Sequence, residues 1–182
     1  MAAGGRSAAP GRVSEDAWRD FVELIVETID VGPGTSVFDV SCGAGAFLLP
    51  LAENGYLVGG SDASPALIAR AKAAMPEGRW RVGSIETLDP GEPWDVVVSV
   101  STFGGFKDLD IARGVLARMA AKATHAIAVL DVPETVDRSW MLHALAEIGA
   151  NAIQIEDALS ERRPEPVEGG RESNGFNVFA RV

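Results

Sequence analysis

VFDVSCGAGAFLLPLAENGYLVGGSD, residues 37–62, carries three signals in succession. The β-branched and aromatic run SVFDV at 36–40 predicts a strand that reaches Asp39. The small residues Ser41-Cys42-Gly43-Ala44-Gly45 follow as a loop. Residues 46–54 then read as a helix, closed by Gly55 in the position just past a helix end, with Pro50 near the first turn where a missing N–H costs little. YLVGGS at 56–61 predicts a second strand leading into Asp62. Gly43 and Gly45 allow backbone torsions and close ligand approach that a Cβ would forbid. A helix start presents unpaired N–H groups to an anionic group. An acid at the carboxyl end of the second strand, beside the first, can accept both hydroxyls of a ribose. Taken singly, each feature is also explained by a tight strand-to-helix turn and a solvent-facing aspartate. In this order and spacing they favour a nucleoside cradle.

Strand and helix signals alternate outward from this segment. On the amino side, residues 14–29 predict a helix with Ser14 as N-cap and Trp18, Phe21, Val22, Ile25, Val26 and Ile29 on one face; Gly32-Pro33-Gly34 ends it. On the carboxyl side, Ser64-Pro65 opens a helix through Ala74, and 79–82 is a short strand. WDVVVSV at 94–100 is nearly continuous apolar sequence, the pattern of a central parallel strand. A helix at 109–121, a strand at 126–130, a helix at 138–147 and strands at 152–159 and 176–182 complete the order. Such alternation predicts an α/β fold: a doubly wound, mostly parallel, seven-stranded sheet with helices on both faces. No helix separates the last two strands, so they form a C-terminal antiparallel hairpin. Their connection, 160–174 (SERRPEPVEGGRESN), is long, charged and expected to be mobile. Residues 1–13 are expected to form a disordered tail, and 14–182 a single domain.

Composition narrows the class further. Hydrophobic residues make up 47% of the 182, enough for one packed core. A formal net charge of −10 opposes binding to phosphate backbones, so nucleic acid is not expected as a partner. Arg70, Lys72, Arg79 and Arg81 read as solvated charge. The single cysteine, Cys42, suits a reducing cytoplasm and offers no metal-ligand spacing. No stretch is long and apolar enough to span a membrane, and none of residues 1–13 resembles a secretion signal.

The segment Asp39-Val40-Ser41-Cys42-Gly43-Ala44-Gly45, followed by Asp62 after the second strand, resembles motif I and the acidic second-strand motif of class I S-adenosylmethionine-dependent methyltransferases. Ser41 stands where that family usually has its first glycine. The resemblance implies S-adenosyl-L-methionine as cofactor, held by Asp39, Ser41, Gly43, Gly45, Asp62 and Ala63. It also implies that Ser84 and Ile85 flank the adenine, with Ser84 in place of a usual aspartate. Ser99 and Val100, followed by Ser101, would line the methionine side and the transfer point. The family's reversed final hairpin agrees with the element order.

A sulfonium methyl donor is already activated, so positioning an acceptor in line can supply much of the catalysis, and a general base serves a hydroxyl acceptor more than an amine. Candidates for a base are few. His143 reads as a surface or packing residue, His125 precedes a buried strand, and Cys42 is a small buried filler. Asp131, at the end of the fifth strand, is read first as a helix N-cap and otherwise as a base or substrate contact. The acceptor is expected to be a small molecule bearing O or N, under cover from the N-terminal helix, the loop 101–108 (STFGGFKD) with Gly104-Gly105 as a hinge, and the loop 160–174, or from the second subunit of a homodimer. A dinucleotide-dependent oxidoreductase is the first rival, but its third glycine would fall at Leu48. An inactive cofactor-binding or interaction protein is the second.

Overall fold

The structure is a computed structural model that describes residues 14–157 and 175–182. Its elements alternate as the sequence predicts: α1 (Glu15–Thr28), β1 (Ser36–Val40), α2 (Leu48–Glu53), β2 (Leu57–Asp62), α3 (Pro65–Ala74), β3 (Arg79–Val82), β4 (Trp94–Val100), α4 (Leu109–Lys122), β5 (Ala123–Pro133), α5 (Arg138–Glu147), β6 (Asn151–Asp157) and β7 (Gly175–Arg181). The strands form one seven-stranded sheet in the order β3-β2-β1-β4-β5-β7-β6. Pairings among β1 to β5 are parallel. β7 runs antiparallel to both β5 and β6, so it inserts between them as the single reversed strand.

Period-two alternation divides the core between the two faces. Val97, with Phe38, Val40, Ile127 and Val129, packs under α4 and α5 through Ala112, Val115, Leu116, Met119, Met141 and Leu145. Val96 and Val98, with Val37, Ala128 and Leu130, pack under Val22 and Ile25 of α1, Leu48 and Leu51 of α2 and Ile68 of α3. The apolar run of β4 is thus buried on both sides, at the centre of the sheet. Ser14 and Ser64 cap α1 and α3, accepting from the amides of Ala17 and Leu67.

The chain winds outward from β1 through β2 and β3, then returns to place β4 on β1's other side. The carboxyl tips of β1 and β4 therefore border the crevice of a topological switch point, where open α/β sheets bind ligands. At the opposite edge, Asp95 of β4 clasps the start of β1: its Oδ2 accepts from the amide of Ser36 at 2.8 Å and from its hydroxyl at 2.7 Å.

Some boundaries differ from expectation. α2 begins at Leu48, two residues later than predicted, because residues 41–47 are spent on turns. β5 extends past both ends of the predicted 126–130. Short 3-10 turns at Ile85–Thr87 and Phe103–Gly105 were not expected; three residues leave no periodicity to read. In the loop after β4, Phe103 is buried in the core and packs edge-on against Phe106. Of the expected hinge Gly104-Gly105, the first glycine is close-packed, since a Cβ there would lie 2.6 Å from Pro133 Cγ, and the second has open space beside it. The expected tail 1–13, the connection 160–174 and the last two residues of the predicted strand 152–159 lie outside the described residues.

Candidate active site

The glycine loop and the tip of β2 are tied together by backbone geometry. Ser41, Gly43 and Gly45 all have positive φ, at 68°, 57° and 83°. The amide of Cys42 donates to Ser61 O at 2.9 Å, and the amide of Gly43 donates to Asp62 Oδ2 at 2.9 Å. Asp62 Oδ1 accepts from the amide of Ser64 at 2.8 Å. The two strands approach so closely that a Cβ on Gly60 would sit 2.7 Å from Cys42 Cβ. From the other side, Trp18 of α1 donates its indole N–H to Ala46 O at 2.8 Å and anchors the loop's far end. Gly45 has a second constraint, since a Cβ there would meet Met75 Cε at 2.4 Å. Serine at 41 takes up a left-handed conformation that glycine adopts freely and that costs other L-residues about 1–2 kcal/mol.

Two carboxylates face this loop in different states. Asp39 is 2% exposed, and its Oδ1 has no partner among the described residues. Burial, and secondarily the negative charge of Asp62, push its carboxyl well above the usual range. Asp62 is half-buried, and its two bonds to backbone amides use about half of a carboxylate's four acceptor sites, leaving room for hydroxyl donors. Ala63 is exposed beside it. The amide of Gly83 donates to Asp62 O at 3.0 Å, which brings the end of β3 alongside. Ser84 is exposed there and its Oγ accepts from the amide of Glu86, capping the first 3-10 turn; Ile85 is half-buried against the core. Asp39, Ser41, Gly43, Gly45, Asp62, Ala63, Ser84 and Ile85 thus all lie at the carboxyl tips of β1 to β3 or in the turns that follow them.

The tips of β4 and β5 supply the remaining wall. Ser99 is fully buried and its Oγ is unpaired among the described residues; Val100 is half-buried. Ser101 donates its hydroxyl to Asp131 Oδ2 at 2.6 Å, and both residues have φ of 55°. The pairing of β5 with β7 shifts register between Val129 and Val132, so Asp131 sits on an irregularity. Its amide donates to Oδ1 of Asn177, a fully buried residue of β7, at 2.9 Å. Asp131 is therefore not a helix N-cap. Asp137 caps α5, accepting from the amides of Ser139 and Trp140. Asn177 was not anticipated; its one signal is a polar residue inside the apolar strand GFNVFAR.

The other candidate bases fall away. His143 is exposed beside Glu147, and His125 is exposed against Arg181. Cys42 is buried, which raises its thiol far above the usual range. No group of three or more His, Cys, Asp or Glu among the described residues could hold a metal ion. Arg79 and Arg81 are paired with Glu92 and Asp89. A groove of about 580 Å³ lined by Tyr56, Met75 and Trp94 opens elsewhere, by the amino ends of β1, β2 and β4. None of the residues at the carboxyl tips of the strands lines it.

Comparison with known proteins agrees with this geometry. Residues 37–123 match the family described as "Methyltransferase domain". The ubiquinone biosynthesis O-methyltransferase of Bradyrhizobium diazoefficiens is 30% identical over 147 residues, covering 79% of this chain and 56% of the relative. The nocamycin O-methyltransferase of Saccharothrix syringae is 30% identical over 160 residues, covering 82% of this chain and 54% of the relative. The chain thus spans about half the length of these curated relatives. Among solved structures, magnesium protoporphyrin IX methyltransferase from Synechocystis PCC 6803 with bound S-adenosylmethionine superposes with a TM-score of 0.72 at 18% identity, over 91% of this chain and 80% of that one, and so shares the fold. Over residues 37–123 the chain thus matches the methyltransferase-domain family, and its sheet order with one reversed strand is that of the class I S-adenosylmethionine-dependent methyltransferase fold.

Proposed function

We propose that the chain is an enzyme that transfers the methyl group of S-adenosylmethionine to a hydroxyl group of a small molecule. The observation that carries this reading is the bond from Gly43 N–H to Asp62, which brings the glycine loop and the acid within reach of one nucleoside. The residues fit that cofactor. Asp62 keeps acceptor sites for the two ribose hydroxyls. Ser84 and Ile85 stand beside it for the adenine edge. The unpaired, buried Asp39 Oδ1 offers a partner to the cationic methionine end. Ser41, Gly43, Gly45 and Ala63 shape the floor, and Ser99 and Val100 the methyl side. When bound, the cofactor supplies an activated methyl on a sulfonium. The chain's part is to orient the acceptor in line with it at about 3–3.5 Å and to exclude water.

A hydroxyl acceptor is favoured by the names of the two relatives, both O-methyltransferases. A nucleic-acid acceptor is disfavoured by the charge of −10. No helix among the described residues is long and apolar enough to cross a membrane. The reading takes residues 14–182 as one domain working in the reducing cytoplasm, where a lone buried thiol is at home, with a second copy of the chain available to complete the acceptor pocket.

The test is to incubate the protein with S-adenosylmethionine and a panel of phenols, alcohols and amines, and to measure S-adenosylhomocysteine by mass spectrometry. Formation of S-adenosylhomocysteine dependent on a hydroxyl compound is expected. Selective response to amines contradicts the acceptor class, and no product with any acceptor contradicts the activity.

A further inference from the structure

We infer that Asp39 is neutral in the free protein and that the cationic amino end of S-adenosylmethionine displaces its proton, so that cofactor loading releases a proton and the pocket selects ligands that carry that amino end. The inference rests on the reading above and deepens it.

Asp39 sits where little favours an ionised carboxylate. Alternation along β1 puts its side chain on the same face as Val37, under α1, α2 and α3. It is 2% exposed, and its Oδ1 has no hydrogen-bond partner among the described residues. Asp62, one strand away, receives two backbone amides, from Gly43 at 2.9 Å and from Ser64 at 2.8 Å. The glycine loop thus spends its Gly43 amide on the outer acid and leaves the inner one bare.

Among the described residues, the groups around Asp39 add no positive charge. β2 brings the carboxylate of Asp62, and the loop brings the Cys42 thiol, which burial keeps protonated. β4 brings Val96 and Val98, while its one acid, Asp95, lies at the opposite edge of the sheet. On the helices of this face, Arg19 of α1 pairs with Glu15 and with Glu53 of α2, and the remaining charged side chains of α1 and α3 are exposed. A buried carboxyl without a donor or a counter-charge keeps its proton. Burial first, and then the charge of Asp62, accordingly hold the Asp39 carboxyl well above the usual range.

Cofactor entry reverses that balance. A cation brought beside a carboxyl favours its ionised form. The O–H bond of Asp39 breaks, its electron pair stays on oxygen, and the proton leaves to water or buffer; no further reactant is needed. The complex then holds one proton fewer than the free protein and ligand together. Affinity therefore rises with pH while the free carboxyl is protonated, and levels off once that carboxyl ionises unaided. A nucleoside that lacks the amino end can occupy the Asp62 half of the site but gives Asp39 no cation to balance. Asp39 is in this sense a selectivity residue, and its discrimination sharpens as pH rises.

The test is calorimetric titration of the full chain in buffers of different ionisation enthalpy, over a series from acid to neutral pH. One probe is S-adenosylhomocysteine. The other is 5′-methylthioadenosine, which keeps the nucleoside and the thioether but has no amino end. S-adenosylhomocysteine is expected to release about one proton, with affinity climbing by about tenfold per pH unit on the acid side. Methylthioadenosine is expected to release none and to bind with a flat pH profile. Asp39→Asn copies the neutral acid in size and charge. It should bind S-adenosylhomocysteine without proton release and with a flat profile, about tenfold more weakly than wild type at neutral pH. The wild-type comparison of the two probes stands without the variant. Binding of S-adenosylhomocysteine with no proton release overturns the inference. So does equal release with methylthioadenosine, or undiminished release in Asp39→Asn. Failure of wild type to bind S-adenosylhomocysteine at all overturns the underlying function as well, so the two failures are distinguishable.

Discussion

The two edges of the sheet are built to different standards. At the amino edge, Asp95 is satisfied on all sides: Ser36 gives it an amide and a hydroxyl, Thr124 adds a hydroxyl at 3.4 Å, and these bonds hold its carboxyl below the usual range. Lys122, which is buried, donates to two backbone carbonyls, of Asp89 and Glu92. The Trp94 indole N–H is the exception, buried there without a hydrogen-bond partner among the described residues. At the carboxyl edge, Asp39 is buried with its carboxyl raised, and Asp39, Ser99 and Asn177 each bury a polar atom that is unpaired among the described residues. Ser41, Ser101 and Asp131 hold left-handed backbone there. One edge satisfies its polar groups locally and contributes stability. The other leaves buried polar groups unpaired among the described residues, which costs stability and marks a functional-site candidate.

The comparison can be broken most forcefully at Asp62. Asp62→Ala removes charge-assisted hydrogen bonds of about 1.5–3 kcal/mol, so affinity for S-adenosylmethionine should fall about tenfold or more in calorimetric titration. Unchanged affinity would remove the carboxyl edge from the account. Next comes Gly60→Ala, whose Cβ would press on Cys42 and on the Asp39 carbonyl. It should destabilise by about 1–3 kcal/mol in urea denaturation; a neutral result would mean the strand tips are not tightly apposed. Ser41→Gly should act in the opposite direction. By relieving left-handed strain it should add about 1 kcal/mol of stability and keep cofactor affinity; a loss of stability would show that serine is not strained.

The smallest effect is a change of slope with pH, and the two edges should differ in sign. Asp95 has a lowered carboxyl, so its contribution is present above the unfolded value near ~3.9 and is lost as pH falls through the folded value. Asp95→Asn should therefore flatten the acid side of the stability curve. Asp39 has a raised carboxyl, so the folded state keeps a proton that the unfolded chain releases, and stability declines as pH rises from that same value. Asp39→Asn should gain on wild type toward neutral pH. Denaturation midpoints over a pH series measure both, and slopes of the same sign would contradict the contrast.

Much of the fold was legible because it depends on local signals. The β-branched runs of β1, β4 and β5, the Ser64-Pro65 cap and the glycine at 55 each act within a few residues. The glycine loop and Asp62 were legible as a motif, since the order strand, glycines, helix, strand, acid survives in one dimension. What could not be read depends on pairing between distant segments. The register shift that displaces Asp131 is a property of β5 against β7, and Asn177, which braces it, lies far along the chain. Asp131 was read as a cap because the next residues suggest a helix start, yet the three-dimensional neighbour that defines it is Ser101. Gly104 looked like a hinge because nothing nearby in sequence announces the Pro133 ring against it.

The most direct test of the account is a crystal structure of the full chain grown with S-adenosylhomocysteine. The account predicts the ribose hydroxyls within hydrogen-bond distance of the Asp62 carboxylate, with the glycine loop beneath the nucleoside and the sulfur facing the tips of β4 and β5. Ligand seated instead in the groove of Tyr56, Met75 and Trp94, or a carboxyl edge closed by its own side chains, would contradict it.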